Sequence, residues 1–283
     1  MSALIRHLAL VSESALISIG DLMKVAAALQ KQATRDLAPI WEISATVVAY
    51  EKLEDVPTDY WPMIIRDDIG YNAAGIHLDD NRQPFALISS SPDLDTWSLT
   101  ASHETMEMLV DPFGDRLAGG DSPKTDDQKR VNFLAEVCDP SEGAKYAYSV
   151  NGILVSDFYT PHFFDPVGNI ATRYSFTGAL KGPRQILPGG YLSWVDLATN
   201  DWWQQVWFGT PSPKFKKLGK LTGAKSLRTQ IDALTGGETA KVIAEGRVSA
   251  SAAGLTSAAA AEGGGNARAA MLHANIETIK AGG

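Results

Sequence analysis

Residues 102–112 read SHETMEMLVDP and hold the densest set of side chains able to do chemistry. His103 is followed by Glu104, by Glu107 four positions after the His, and by Asp111 four positions further on. On a helix turning 100° per residue, with His103 at the origin, Glu107 falls at about 40°, Asp111 near 80° and Glu104 near 100°. Leu99, Ser102, Met106, Leu109 and Val110 fall on the other side, between about 240° and 340°. A His and a Glu four apart on one face can reach a single ion. Glu104 is offset by one position, so it would face water on the ion rather than the ion itself. The competing expectation is an amphipathic helix whose acidic face is solvated. Against it, the acids crowd the C-terminal end of the helix, where the dipole disfavours negative charge.

The surrounding elements must hold that helix in place. Leu22, Val25, Leu29 and Ala33 recur at helical spacing, and Pro39 is expected to close a helix over 21–37. WEISATVVAY at 41–50 is rich in β-branched and aromatic residues and reads as a strand. PMII, AGIHLDD and PFALISSS read as three more, the last two joined at Asn81-Arg82-Gln83. Ser91 is a candidate cap for the His103 helix, with Pro92 in its first turn; Pro112 ends it near Val110. Asn151-Gly152 marks a tight hairpin turn.

This order of elements, with SHETMEM after a candidate edge strand at PFALISSS, resembles the zincin metallopeptidases over roughly residues 15–165. The stretches WSLTASHETMEMLVDP, EVCDP and PGGYLSWVD are also similar to uncharacterised bacterial and phage-borne proteins with a zincin-like reading. The resemblance implies an α+β fold: a twisted mixed sheet with long helices, an active-site helix at about 92–110, then a hairpin-rich part. It further implies that His103 is the first metal ligand, that Glu104 is the general base, and that Glu107 stands where the family has its second His. Two carboxylates and one His largely neutralise a divalent ion and acidify its water less than a His-rich set does. Zn²⁺ is the expected cofactor, with Mn²⁺ or Ca²⁺ favoured as oxygen ligands accumulate. In the gluzincin branch the third ligand is a downstream Glu. LAEVCDPSEG offers Glu136, Asp139 and Glu142; Glu136 is preferred, Asp139 competes, and Asp111 stays open. Cys138 could ligate zinc but reads first as a small buried hydrophobe, His77 reads as a structural strand residue, and His162 either as packed among aromatics or as a donor over the cleft.

Composition sets the outer limits. The chain has 283 residues, 45% of them apolar, and a net charge of −8. That balance argues against a nucleic-acid partner and suits cation binding. One cysteine allows no internal disulfide. No signal peptide and no membrane span are read, which places the protein in the cytoplasm or in a particle assembled there. All 24 aromatic residues lie at or before Phe215. The expected division is therefore a domain over 1–213 and an Ala/Gly-rich tail over 214–283, with short helices at 226–234 and 267–280. Two functions remain open. One is a metal-dependent hydrolase acting on peptide or protein. The other is a non-catalytic scaffold that self-assembles or joins a larger particle through its tail.

Overall fold

The computed structural model describes residues 4–124, 129–235 and 264–281. The chain is mixed α and β, built around two five-stranded sheets. The first sheet contains β1 (Ile5–Ser12), β2 (Ser44–Tyr50), β3 (Trp61–Arg66), β4 (Gly75–Asp80) and β5 (Gln83–Ser89) in the order β2-β1-β3-β5-β4. All neighbours are parallel except β4, which runs antiparallel to β5 and forms the edge. The edge strand is thus GIHLDD and not PFALISSS. Asn81 and Arg82 take positive φ angles of 50° and 66°, the conformation of a two-residue hairpin, so the chain turns back and places β5 inside.

Both faces of this sheet are covered, and β1 shows it residue by residue. Leu8 and Leu10 pack into one cluster while Ala9 and Val11 pack into another on the opposite side. The first face carries α1 (Ile19–Lys31) and α3 (Leu94–Val110). Ser18 caps α1 by accepting the Asp21 amide. Pro39 does not close this helix. The backbone widens into a π-helical turn over Gln32–Leu37 and re-forms α2 over Ala38–Trp41, with Pro39 in the first turn of α2. The missing amide then costs nothing, and Glu42, at φ 57°, makes the stop.

The second sheet is antiparallel, β12-β11-β10-β7-β6, from β6 (Leu117–Asp121), β7 (Arg130–Leu134), β10 (Tyr191–Asp196), β11 (Asp201–Val206) and β12 (Lys214–Gly219). A separate hairpin pairs β8 (Tyr148–Val150) with β9 (Ile153–Val155) through Asn151-Gly152. Trp194 and Trp202 are buried, so the Trp-rich stretch closes a core.

The boundary expected at residue 213 falls inside this second sheet, because β12 pairs along β11. Beyond it, residues 227–235 form a helix, α4, whose Ile231 joins Leu134, Val195 and Trp202. The last helix, α5 (Gly264–Ala281), lays Ala269, Leu272 and Ile276 on the outer face of the first sheet, against Ile64, Leu78, Phe85 and Leu87. Asn275 donates to Asp80 and Lys280 pairs with Asp68. These segments lack aromatics because they use Leu, Ile and Ala to cover a core that others supply. Residues 236–263, the Ala/Ser/Gly-rich part of the expected tail, lie outside the described residues. Among the described residues no helix is long and apolar enough to cross a membrane.

Candidate metal centre

The helix that carries the candidate residues begins two residues later than Ser91 would give. Asp93 is the cap, its carboxylate accepting the Thr96 amide at 3.2 Å, while Ser91 accepts the Asp93 amide. From Thr100 to Val110 the helix is buried on every side. The His-and-carboxylate face is therefore not solvated: Glu104, Glu107 and Asp111 are 3%, 0% and 1% exposed, and His103 is 9% exposed. The cause is what packs over it. The edge strand β4 covers one flank, residues 135–142 cover another, and α4 closes the third. Glycines permit the approach. A side chain at Gly75 would meet Glu104 and Thr100 at 2.6 Å, and one at Gly190 would run into the backbone of Asp139 and Pro140.

Glu107 is the centre. Its Oε2 lies 3.2 Å from His103 Nε2, 3.8 Å from His77 Nδ1 and 3.6 Å from Arg228 Nη1, while its Oε1 accepts the Cys138 amide at 3.1 Å. His103 Nε2 also lies 3.3 Å from Asp139 Oδ1. Arg228 Nη1 reaches Asp139 Oδ2 at 3.2 Å, its Nη2 donates to the Tyr191 hydroxyl, and its Nε pairs with Asp232 at 3.0 Å. The same Nη1 sits 2.9 Å from Glu136 Oε2 but off the hydrogen-bond direction, so both Glu136 oxygens remain without a hydrogen-bond partner. Glu104 Oε2, Glu107 Oε2, Asp139 Oδ1, Glu142 Oε2 and His77 Nδ1 are also buried and unbonded. Such groups are costly in a dry interior unless a cation or a proton satisfies them.

The electrostatics follow from this crowding. Burial opposes charge on Glu107, yet His103, Arg228 and His77 hold its carboxylate well below the usual range. Burial likewise opposes protonation of His103, and the neighbouring Glu107 overrides it, so the imidazole titrates well above its ordinary value. Burial and Glu107 push Asp139 up to about 6 against the pull of Arg228. Burial raises Glu142 to about 8 and carries Glu136 well above the carboxylate range. The cluster holds more carboxylates than it can ionise together, and it compensates by taking up protons.

Of the residues expected from sequence, His103, Glu104, Glu107 and Glu136 all enter one cluster, joined by Asp111, Asp139 and Glu142. The three expected as ligands, His103, Glu107 and Glu136, are divided between two groups of close donor atoms, while Glu104, expected as the base, is in neither. Among the described residues, the sets of three whose donor atoms lie within 4.8 Å of one another are His103, Glu107 and Cys138, and His77, Glu107 and Glu136. Glu107 is common to both. Cys138 is buried, burial pushes its thiol up, and its Sγ donates to the His103 carbonyl at 3.8 Å; it also belongs to the first of these sets. His162 is exposed and pairs with Asp165 at 2.9 Å, away from the cluster.

Two members escaped the sequence reading. His77 alternates with apolar residues on a strand, which is also the pattern of a core His. Arg228 comes from the segment set aside as a tail, and its spacing with Asp232 reads as an ordinary surface pair. Comparison with protein-family models, with curated proteins and with solved structures gives no match for this chain. What fold and site define is a mixed α/β protein with a buried His/carboxylate cluster whose donor atoms lie within 4.8 Å of one another in two sets of three.

Proposed function

We propose that the chain is a metal-dependent hydrolase of zincin-like architecture, acting on peptide bonds. The observation that carries this reading is the set of buried, unbonded oxygens on Glu107 and Glu136 beside His103, on a helix lying next to an antiparallel edge strand. Glu107 and Glu136 would hold the ion, with His103 beside them; the donor set suits Zn²⁺, and its oxygen content admits Mn²⁺ or Ca²⁺. A cation held there polarises a carbonyl and lowers the pKa of water. Glu104 is the general base: its Oε2 is buried, has no hydrogen-bond partner and lies 3.5 Å from His77 Nδ1. Arg228 offsets charge on Glu136 and Asp139, and β4 offers the edge along which an extended peptide would pair.

A second reading is favoured by the closure of the site. Every member of the cluster is covered, and Arg228 already supplies positive charge to the same oxygens. A scaffold or assembly protein would use such a cluster as a structural pin, with residues beyond 213 as its contact to a larger particle.

Elemental analysis after purification without chelators, combined with cleavage of a peptide library, separates the two. Glu104→Gln should keep metal and stability but lose cleavage by at least ~10²-fold, the scale of a positioned base. Loss of the metal in that variant would make Glu104 a ligand and overturn its role as base. A metal-loaded parent that cleaves no peptide leaves the scaffold reading.

A further inference from the structure

We infer that His77, from the edge strand, is the nitrogen ligand of the cation together with Glu107 and Glu136, so that the ion bridges β4, α3 and the segment after β7. This rests on the reading of the cluster as a cation centre and says where in it the ion sits.

Alternation along β4 turns His77 inward, where it is 1% exposed. Its two ring nitrogens have different surroundings. Nε2 is 3.1 Å from the backbone carbonyl of Asp111, which can only accept. Nε2 therefore carries hydrogen, and in the neutral ring Nδ1 is left with a bare lone pair. A backbone carbonyl taking the far N–H is the usual outer support of a ligating His, since it fixes both tautomer and ring direction. Here the supporting carbonyl belongs to the residue that ends α3, so the helix bearing Glu107 also orients the ring.

Nδ1 faces carboxylates. Glu104 Oε2 lies at 3.5 Å and Glu107 Oε2 at 3.8 Å, and Nδ1 makes no hydrogen bond. A lone pair pointed at two carboxylates in a dry interior is unfavourable without a positive charge between them. A proton on Nδ1 would supply charge, but these separations are too long for good hydrogen bonds. They suit a different filling. Donor atoms each about 2.0–2.3 Å from one cation stand roughly 3–3.8 Å apart along the edges of its coordination shell. His77, Glu107 and Glu136 each have a donor atom within 4.8 Å of the other two, the His77 nitrogen nearest Glu136 being Nε2 at 3.9 Å, and both Glu136 oxygens are without hydrogen-bond partners. His103 meets the same Glu107 oxygen at 3.2 Å and also lies beside Asp139 and Cys138. On this arrangement His103, in contact with Glu107 and Asp139, is not the principal nitrogen donor.

The test is binding of Zn²⁺ and of Mn²⁺, each alone, to chelator-treated full-length protein, followed by calorimetry and elemental analysis for the parent, His77→Ala, His77→Gln and His103→Ala. Both His77 variants should lose at least ~10²-fold in affinity, and His103→Ala should lose less. X-ray absorption on Zn²⁺-loaded His103→Ala should still show one imidazole in the first shell, a readout that does not require a His77 variant to fold. Unchanged affinity in His77→Gln, or no imidazole on the ion in His103→Ala, would overturn the assignment while leaving the metal reading in place. Failure of the parent to bind either ion removes both.

Discussion

Arg228→Met tests how the buried carboxylates are held. Arg228 is 6% exposed and its guanidinium lies within 3.2 Å of Glu136, Asp139 and Asp232. Methionine keeps much of the volume and removes the charge and the donors. Removing one partner of a buried ion pair costs about 3–5 kcal/mol, because the other partner stays buried and uncompensated. At about 2–4 °C per kcal/mol for a chain near this size, the melting temperature in chelator should fall by roughly 6–20 °C. The loss should be larger at pH 8 than at pH 5. Asp139 titrates at about 6 and Glu142 at about 8, so at the lower pH these neighbours are protonated and need Arg228 less. If a divalent cation shares the oxygens that Arg228 faces, the variant should also gain more from metal than the parent does. Ligand at a hundredfold over its Kd contributes about 2.7 kcal/mol. The assay is thermal unfolding followed by near-ultraviolet circular dichroism, in chelator and in Zn²⁺ or Mn²⁺, at both pH values. A variant that melts with the parent in chelator at pH 8 would falsify the claim that Arg228 neutralises this cluster.

Three further outcomes are expected. Glu142 is raised from 4.5 to about 8 by burial, and a raised carboxyl stabilises the fold where it is protonated, so this contribution disappears as pH climbs through that window. Glu142→Gln should therefore flatten the dependence of denaturant midpoint on pH between about 5 and 8. Truncation after residue 213 removes β12 and Arg228 and should abolish cooperative unfolding. Truncation after 235 keeps both and should stay folded but bind a hydrophobic dye on the bared face around Leu78 and Phe85; a soluble, cooperative 1–213 fragment would contradict the assignment of β12 to the core. Ser102 donates to Gln32 Oε1 at 2.8 Å and accepts the Ser156 amide, while Gln32 donates to the Ser156 carbonyl. Ser102→Ala should cost about 1–3 kcal/mol in denaturant unfolding, the scale for leaving buried partners unmet, and an unchanged midpoint would mean water replaces the hydroxyl.

Local chemistry settled a good deal of this protein. The period of SHETMEMLVDP puts His103, Glu107 and Asp111 on one side of a helix wherever that helix sits, and Pro112 ends it at Val110 in any context. Asn151-Gly152 folds back because Asn and Gly tolerate positive φ, whereas at Asn81-Arg82 only the Asn is of that kind and Arg82 is carried to φ 66° by the turn. Helices at 227–235 and Gly264–Ala281 follow from their own propensities, close to the expected 226–234 and 267–280. What these signals lack is knowledge of what lies across the gap. A helix face bearing acids is solvated or buried according to its partners, and here β4, residues 135–142 and α4 bury it. A strand His between apolar neighbours looks the same whether its ring meets Leu or Glu, and only the antiparallel register of β4 on the edge brings His77 to Glu104 and Glu107. Aromatic content marks who supplies a core and not who covers it, so the segment after Phe215 reads as a tail although it carries a sheet strand and Arg228. Arg228 and Asp139 are 89 positions apart, a distance at which sequence carries no pairing signal and packing alone decides contact.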